Sequence, residues 1–271
     1  MCDLITRMPK PPENRKSFDA LIELVSALRG PEGCPWDLEQ NHKTLAPYTI
    51  EESFELVEAI ESQNDQSLKD ELGDVLFQVA LHSQLAHERG AFQIDDVLEN
   101  LNTKMIRRHP HVFSDQKVKN SEEVWQNWEK IKKAEKNQKA AGFGIPLQLP
   151  ALQTAYKIGV KCEKSGFDWS NTSDVMAKVF EEIEELKVEI QSQDQEKTAE
   201  ELGDVLFSLA QLARHLKLEP EQVLRKANKK FETRYFHMLK IAENEGLEFE
   251  KLVPEEKEKL WKKVKEQTLG S

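Results

Sequence analysis

Apolar residues recur every three or four positions through most of this chain, and the apolar–polar alternation typical of β-strands is nearly absent. Such spacing places apolar side chains along one face of an α-helix. The clearest stripes are Ile50, Phe54 and Val57; Leu72, Val75, Leu76 and Val79; Val179, Ile183, Leu186 and Ile190; and Leu202, Val205, Leu206 and Leu209. The pattern predicts an all-α protein.

The polar positions beside these stripes contain an array of five carboxylates that occurs twice with identical spacing. The first array consists of Glu51, Glu52, Glu55, Glu71 and Asp74. The second lies 130 positions later and consists of Glu181, Glu182, Glu185, Glu201 and Asp204. With 49 acidic residues among 271, a single pair of acids would mean nothing. A duplicated array indicates an internal repeat, and therefore a tandem of two helical-bundle domains.

The 11 glycines and 11 prolines fall mostly between the periodic segments, where they mark boundaries. Residues 140–149 contain Gly142, Gly144 and Pro146 and predict the border between the two halves. We expect four segments: a loose N-terminal arm at 1–17, a first domain at 18–139, a linker at 140–150 and a second domain at 151–271. The charged run at 130–139 either continues a helix or begins the linker. Four to six helices are expected in each domain.

Composition limits the classes of function. The sequence contains no apolar run long enough to cross a bilayer, and its first 17 residues lack the apolar region of a signal peptide. Its three cysteines form no C-x-x-C pair, which favours a reducing cytoplasm over a disulfide framework. The net charge of −11 argues against a nucleic-acid backbone as partner. We therefore expect a soluble, cytoplasmic protein without membrane or nucleic-acid partners.

The spacing within each array predicts that its acids converge. If two antiparallel helices are joined near residue 63, residues equidistant from the turn face each other. Glu52 then faces Asp74, and Glu55 faces Glu71. Within each helix the acids are i,i+3 neighbours. The second array behaves identically about residue 193, so four carboxylates are expected to meet in each copy.

Four clustered carboxylates repel one another and need a counter-charge or raised pKa values. Oxygen-only ligation suits Mg²⁺ or Mn²⁺, and Mg²⁺ commonly shares its coordination shell with substrate phosphates. Two basic pairs at i,i+4 spacing, Lys104/Arg108 and Lys230/Arg234, would neutralise phosphate oxygens. Each is followed by a Trp/Lys pair one helical turn apart, Trp128/Lys132 and Trp261/Lys265.

The competing interpretation of the acidic arrays is a solvated Glu-rich helix face. The symmetric centring, the recurrence and a glycine inside each Glu-Leu-Gly-Asp sequence disfavour it. A glycine in a helix costs about 1 kcal/mol relative to alanine. Gly73 and Gly203 therefore require a reason, such as the close approach of another helix.

Several of these motifs together resemble the MazG family of nucleoside triphosphate pyrophosphohydrolases, within the all-α NTP pyrophosphatase superfamily. The resemblance extends from about Phe18 to Lys265. Its carriers, besides the two acidic arrays, are Gly33-Cys34-Pro35-Trp36-Asp37, residues 107–113, Gly166-Phe167-Asp168-Trp169 and residues 226–232. It implies Mg²⁺-dependent hydrolysis of NTPs and dNTPs to the monophosphate and pyrophosphate, by water attack at the α-phosphate. It also implies a homodimer, with catalysis in the C-terminal copy.

Residue by residue, the resemblance implies that Glu182, Glu185, Glu201 and Asp204 hold the metal. The residues that it places around the nucleotide and its phosphates are Lys178, Glu181, Glu200, Asp204, Lys230, Arg234, Trp261 and Lys265. Our mechanistic hypothesis is that Glu181 or Glu182 positions or deprotonates the attacking water. Lys230 and Arg234 would stabilise the departing pyrophosphate.

The two copies differ at one informative position. Lys178 lies one turn before Glu182, and its counterpart before Glu52 is Tyr48. Replacing an ammonium by a phenol removes a charge that reaches phosphate, so the N-terminal copy is expected to bind weakly or to serve structurally. A second site in the N-terminal copy nevertheless stays an alternative. Its residues would be Glu51, Glu52, Glu55, Glu71, Asp74, Lys104, Arg108, Trp128 and Lys132.

Alternatives remain at the level of function. Within the same chemistry, a narrower enzyme would act on dUTP or damaged nucleotides. In another class, the protein would be a nucleotide-sensing module with vestigial activity. His109-Pro110-His111 suggests a metal site only weakly, because no third ligand is identifiable nearby. Trp36 and Trp169 would either stack on a base or anchor the core.

Overall fold

The computed structural model describes residues 10–135 and 143–269. Within those ranges all regular secondary structure is helical, which confirms the predicted all-α class. The described residues form two compact units, residues 10–135 and residues 143–269. None of the described helices is long and apolar enough to cross a membrane.

The first unit contains seven described α-helices, which is more than the four to six expected. They are α1 Phe18–Leu28, α2 Pro35–Glu39, α3 His42–Ser62, α4 Asp65–Glu88, α5 Ile94–Arg108, α6 Pro110–Phe113 and α7 Ser121–Glu135. The two shortest helices, α2 and α6, have only five and four residues. Each begins with a proline, which suits the first turn because its missing N–H has no partner there anyway.

The second unit contains five described α-helices and a short 3₁₀ turn, Phe249–Lys251. The helices are α8 Ala151–Glu163, α9 Thr172–Ser192, α10 Gln195–His215, α11 Pro220–Asn244 and α12 Pro254–Leu269. Of the predicted arm, residues 1–9 lie outside the described part of the chain. The same is true of residues 136–142, which include the start of the predicted linker.

A long helix hairpin organises each unit. In the first unit α3 packs against α4, while α1 and α5 also contact α4. The core there contains Val25, Leu45, Ala80, Leu81 and Leu85. In the second unit α9 packs against α10, α8 and α11 contact α10, and α12 packs on α11. Met238, Ala242, Leu260 and Val264 form the core between α11 and α12.

The two hairpins turn in the same way. Gln63 and Gln193 each end the first helix in the left-handed conformation, with φ of 55° and 59°. Asn64 and Asp194 then cap the second helix, because their side chains accept hydrogen bonds from its first backbone N–H groups. The turns therefore lie at the predicted centres, residues 63 and 193.

Candidate active site

The hairpin of the second unit brings three of its four predicted metal ligands together. Glu182 on α9 and Glu201 and Asp204 on α10 each offer a carboxylate oxygen, and these oxygens lie within 4.8 Å of one another. Glu182 is 6% exposed, so one of the three charges is almost fully buried. Carboxylate oxygens are the ligands that hard divalent cations prefer, and this donor set fits Mg²⁺ or Mn²⁺.

Mutual repulsion in this cluster alters its acid–base behaviour. Loss of solvation and the neighbouring carboxylates Glu185, Asp204, Glu182 and Glu200 raise the pKa of Glu201. Loss of solvation and the contact with Glu182 raise the pKa of Glu185. The fourth predicted ligand, Glu185, thus lies beside the cluster and interacts with it electrostatically. Raised pKa values mean that the cluster lacks sufficient positive charge, which a bound cation would provide.

Lys178 supplies part of the missing charge. Its Nζ lies 2.8 Å from an oxygen of Glu181 and 2.8 Å from an oxygen of Glu182. Hydrogen bonds to these two carboxylates raise the pKa of Lys178. The Glu181 side chain is 58% exposed, whereas the Glu182 side chain is 8% exposed. The ammonium therefore joins a solvent-exposed acid to a buried acid of the candidate metal cluster.

The first unit forms a corresponding cluster from Glu52, Glu55 and Glu71, whose oxygens also lie within 4.8 Å of one another. Loss of solvation, followed by repulsion from Asp74, Glu55, Glu71 and Glu51, raises the pKa of Glu52. Loss of solvation and repulsion from Glu55 and Asp74 raise the pKa of Glu71. One oxygen of Glu71, Oε2, is buried without a hydrogen-bond partner. Such an atom fits a site built for a cation.

Tyr48 occupies the position of Lys178 in this first unit. Its ring is T-shaped against Trp36, with the centroids 5.7 Å apart. The two clusters also differ in composition, because the first takes two acids from α3 and one from α4, whereas the second takes one from α9 and two from α10. Their neighbours differ as well: an ammonium in the second copy and an aromatic pair in the first.

The basic residues of the first unit are engaged within it. Arg108 makes an ion pair with Glu135, Nη2 to Oε2 at 2.5 Å, and its guanidinium lies 5.3 Å from the Trp128 ring centre. The Nζ of Lys132 lies 4.9 Å from that ring centre. Sequence reasoning found Arg108, Trp128 and Lys132 but missed Glu135. Lys104 lies one turn before Arg108 on α5.

The basic residues of the second unit lie on α11 and α12, which pack together. Lys230 and Arg234 are on α11, and Trp261 and Lys265 are on α12. The Trp261 ring lies 5.1 Å from the Phe231 ring and is partly buried against the α11–α12 core. Trp261 thus has a packing role in addition to any contact with a nucleotide. The phosphate-binding role of Lys230 and Arg234 stays a prediction.

The expected reason for the helical glycines is wrong within the described chain. A Cβ built at Gly73 or Gly203 meets no described atom within 4 Å. Both glycines are exposed, because each faces away from its own hairpin partner.

Sequence reasoning missed an ion network in the second unit that is centred on the buried Arg214. Arg214 contacts Asp168 and Glu163, and His215 Nε2 lies 3.1 Å from Asp168 Oδ1. One signal was present, because Gln211 and Arg214 lie at i,i+3 spacing on one face of α10 and both are polar. His109 and His111 belong to neither of the two groups of candidate metal ligands found among the described residues, and their weak metal hypothesis stays untested.

Sequence comparisons agree with this geometry. The profile of the MazG family, described as a MazG nucleotide pyrophosphohydrolase domain, matches residues 40–113 and 171–239. The nucleoside triphosphate pyrophosphohydrolase/pyrophosphatase MazG of Thermotoga maritima is 45% identical over 251 residues, which cover 92% of this chain and 95% of that protein. The nucleoside triphosphate pyrophosphohydrolase of Escherichia coli K12 is 45% identical over 258 residues, covering 93% and 98%. The two profile matches each contain one helix hairpin.

Proposed function

This chain belongs to the MazG family of nucleotide pyrophosphohydrolases, and we propose that it hydrolyses nucleoside triphosphates to the monophosphate and pyrophosphate. The observation that carries the proposal is the cluster of Glu182, Glu201 and Asp204, whose oxygens lie within 4.8 Å of one another in the second profile match. Two relatives with 45% identity over nearly their full length bear the name of this activity.

The same carboxylates are the proposed ligands of a divalent cation, Mg²⁺ or alternatively Mn²⁺. Glu182, Glu201 and Asp204 would contribute directly, and Glu185 would complete the set. The raised pKa values of Glu185 and Glu201, and the all-oxygen chemistry of the set, support this assignment. When bound, such a cation supplies Lewis-acid polarisation of phosphate oxygens.

The remaining roles belong to side chains of this chain. Glu181 is exposed and held by Lys178, so it is well placed to orient an attacking water or accept its proton; Glu182 is the alternative. The Lys178 ammonium would exchange its contact with these acids for an α-phosphate oxygen as charge develops there. Lys230 and Arg234 would bind the departing pyrophosphate, with Glu200, Trp261 and Lys265 around the nucleotide.

We assign the proposed hydrolysis to the second copy because of the Lys178/Tyr48 difference. A phenol cannot neutralise a phosphate oxygen, and the ring of Tyr48 is occupied by Trp36. The proposed role of the first copy is therefore weak binding of metal or nucleotide, or structural support.

We further propose that the protein acts as a homodimer in the cytoplasm. The α9–α10 hairpin exposes a row of large apolar side chains, among them Phe180 at 61%, Leu202 at 48% and Leu206 at 49%. A second copy that covered this row would remove it from water. The free thiols Cys34 and Cys162 suit a reducing compartment.

Sedimentation tests the proposed dimer. Leu206→Glu should shift the sedimentation coefficient to that of a monomer, whereas Leu147→Glu, at a 94% exposed position outside the helices, should not.

The experiment that tests the activity is product identification. The full chain is incubated with each common NTP and dNTP in the presence of Mg²⁺, and the products are separated by ion-exchange chromatography. We expect monophosphate and pyrophosphate in equal amounts. Release of orthophosphate and diphosphate would contradict attack at the α-phosphate. Turnover of dUTP alone would favour the narrower enzyme, and binding of nucleotides without turnover would favour the sensing module.

A further inference from the structure

Arg214 is a buried cation that lies outside the acidic cluster of the second unit and has several partners. Its side chain is 5% exposed. Its Nη1 lies 3.0 Å from Glu163 Oε2 and 3.0 Å from Asp168 Oδ2, and its Nη2 also donates to Asp168. Its Nε donates to Gln211, whose amide in turn donates to the Ala155 carbonyl at 2.8 Å. One guanidinium therefore ties α8, α10 and the loop before α9 together.

The Arg214 network lies at the end of the α9–α10 hairpin opposite the turn. Residues equidistant from the turn at Gln193 lie across from each other, so Arg214 is opposite Thr172, the first residue of α9. The turn closes one end of the α9–α10 hairpin, and the Arg214 network closes the other. Glu182, Glu201 and Asp204 lie between these two ends. The separation of the two helices at the carboxylates is thus fixed from both sides.

In the first unit a different arginine, Arg29, holds the open end of the hairpin. Arg29, at the C-terminal end of α1, has a side chain that is 6% exposed. It donates to both oxygens of Glu88 on α4 at 2.8 Å and to the carbonyl of Asp37. It also donates to the carbonyl of Gln40, at 3.4 Å. It therefore holds the loop before α3 against α4. We call each of these two arginine networks a clamp. Arg29 and Arg214 do not occupy equivalent positions of the repeat, so descent from one ancestral residue does not explain why both units have a clamp.

We propose that Arg214 is a positioning residue for the C-terminal carboxylate site. It acts by fixing the start of α9, and so sets the distance between Glu182 on α9 and the Glu201/Asp204 pair on α10. Ten residues of helix, about 15 Å, separate Thr172 from Glu182. A rigid helix transmits a displacement at its first turn to a side chain at this distance. The inference rests on the proposed function in that the carboxylates are taken as metal ligands.

Direct binding of Mn²⁺ tests the proposal without requiring turnover. The background protein is the full chain with Glu52→Gln and Glu55→Gln, which disable the first cluster. Free Mn²⁺ is measured by electron paramagnetic resonance. Arg214→Met should weaken Mn²⁺ binding by at least about tenfold, the range found when residues that orient metal ligands are removed. Arg214→Lys keeps the positive charge but loses the forked geometry of the guanidinium. Its Mn²⁺ affinity should therefore lie between that of the background protein and that of Arg214→Met. Deuterium exchange should also increase across residues 172–179.

Arg29→Met in the same background is the matched control. It removes an equally buried arginine from the corresponding clamp of the other unit, and Mn²⁺ binding should stay within about twofold of the background protein. Equal Mn²⁺ affinity in Arg214→Met and Arg29→Met, together with equal losses of thermal stability, would reduce Arg214 to a structural residue and overturn the proposal.

Two further outcomes are covered. If Arg214→Met does not fold, Asp168→Asn decides by the same Mn²⁺ measurement, with a smaller loss of affinity supporting the proposal and no loss refuting it. If the background protein itself binds no Mn²⁺, the metal assignment of the proposed function fails. Exchange at residues 172–179 in Arg214→Met then decides whether Arg214 positions α9.

Discussion

Gly159 leaves the space that Arg214 occupies: a Cβ at Gly159 would lie 2.6 Å from Arg214 Nε and 1.8 Å from Gln211 Oε1. The counterpart of Gly159 in the first unit is Arg29, and the counterpart of Arg214 is Gln84. In the first unit the guanidinium comes from α1, and in the second it comes from α10. The buried arginine therefore comes from non-equivalent helices in the two copies, and only the second copy has a glycine against it.

Gly159→Ala should therefore destabilise the second unit. The methyl group forces the buried Gln211 and Arg214 side chains to move, and overpacking of this kind costs about 1–3 kcal/mol. That cost exceeds the gain of about 1 kcal/mol that alanine brings to a helix. Urea denaturation followed by circular dichroism measures the net change. Gly73→Ala is the control: no described atom lies near its added Cβ, so it should be neutral or stabilising. Stabilisation by both substitutions would contradict the packing argument.

Lys178→Tyr converts the second copy to the residue found in the first. It removes the ammonium that contacts Glu181 and Glu182 at 2.8 Å. We expect kcat/KM for pyrophosphate release to fall by about 100-fold or more, the scale for loss of one group that stabilises developing charge. Steady-state kinetics with ATP and Mg²⁺ measure it.

Lys187→Met controls for the general loss of a lysine from α9. Lys187 pairs with Glu184 in the same i,i+3 arrangement, but both side chains are exposed, at 58% and 71%. Such pairs contribute little, so kcat/KM should be unchanged. A comparable loss in both variants would remove the specific role of Lys178.

Much of the fold and part of the site follow from the sequence because both depend on local spacing. The apolar period predicts helices, and the distances of Glu182 and Asp204 from residue 193 place them opposite each other. The Arg214 and Arg29 clamps were not predictable in this way. They join residues more than 45 positions apart and occupy non-equivalent sites, so neither periodicity nor the repeat identifies them. The pairing of Arg108 with Glu135, 27 positions apart, is also beyond the reach of helical periodicity.

The first unit should lose stability in mild acid. His42 and His82 stack with their Nδ1 atoms 2.8 Å apart, and burial together with His42 lowers the pKa of His82. A lowered histidine pKa means that the folded state prefers the neutral ring. Its contribution to stability is complete above about pH 6.5 and is lost as pH falls from there through the lower pKa of the folded protein.

Urea denaturation at pH 7.5 and pH 5 measures this contribution. We expect wild type to lose more stability than His82→Leu, which carries the residue of the equivalent second-unit position, Leu212. His87→Gln, at an exposed position on the same helix, should behave as wild type. Equal pH dependence in wild type and His82→Leu would disprove the assignment.

The ion pair between Arg214 and Asp168 in the second unit should persist at pH 5, where the first unit loses stability. Hydrogen bonds from Arg214, aided by His215, lower the pKa of Asp168 to about 2. A lowered carboxylate pKa gives stability that is present above about pH 4 and is lost as pH falls towards 2. Asp168→Asn should therefore cost about 2 kcal/mol or more at pH 7, because it also leaves the buried Arg214 without its main partner. The difference from wild type should be constant above pH 5 and shrink below pH 4; a difference that already shrinks at pH 6 would exclude this origin.

The assignment of hydrolysis to the second carboxylate cluster is tested most directly by comparing two double variants that remove the same two charges from equivalent positions. Pyrophosphate release is measured for Glu182→Gln/Glu185→Gln and for Glu52→Gln/Glu55→Gln, at saturating ATP and Mg²⁺. We predict that the first abolishes turnover, a fall of about 1,000-fold or more, while the second keeps at least about half of the wild-type rate. Full activity in the first and loss in the second would contradict the account, because the working site would then lie in the N-terminal copy.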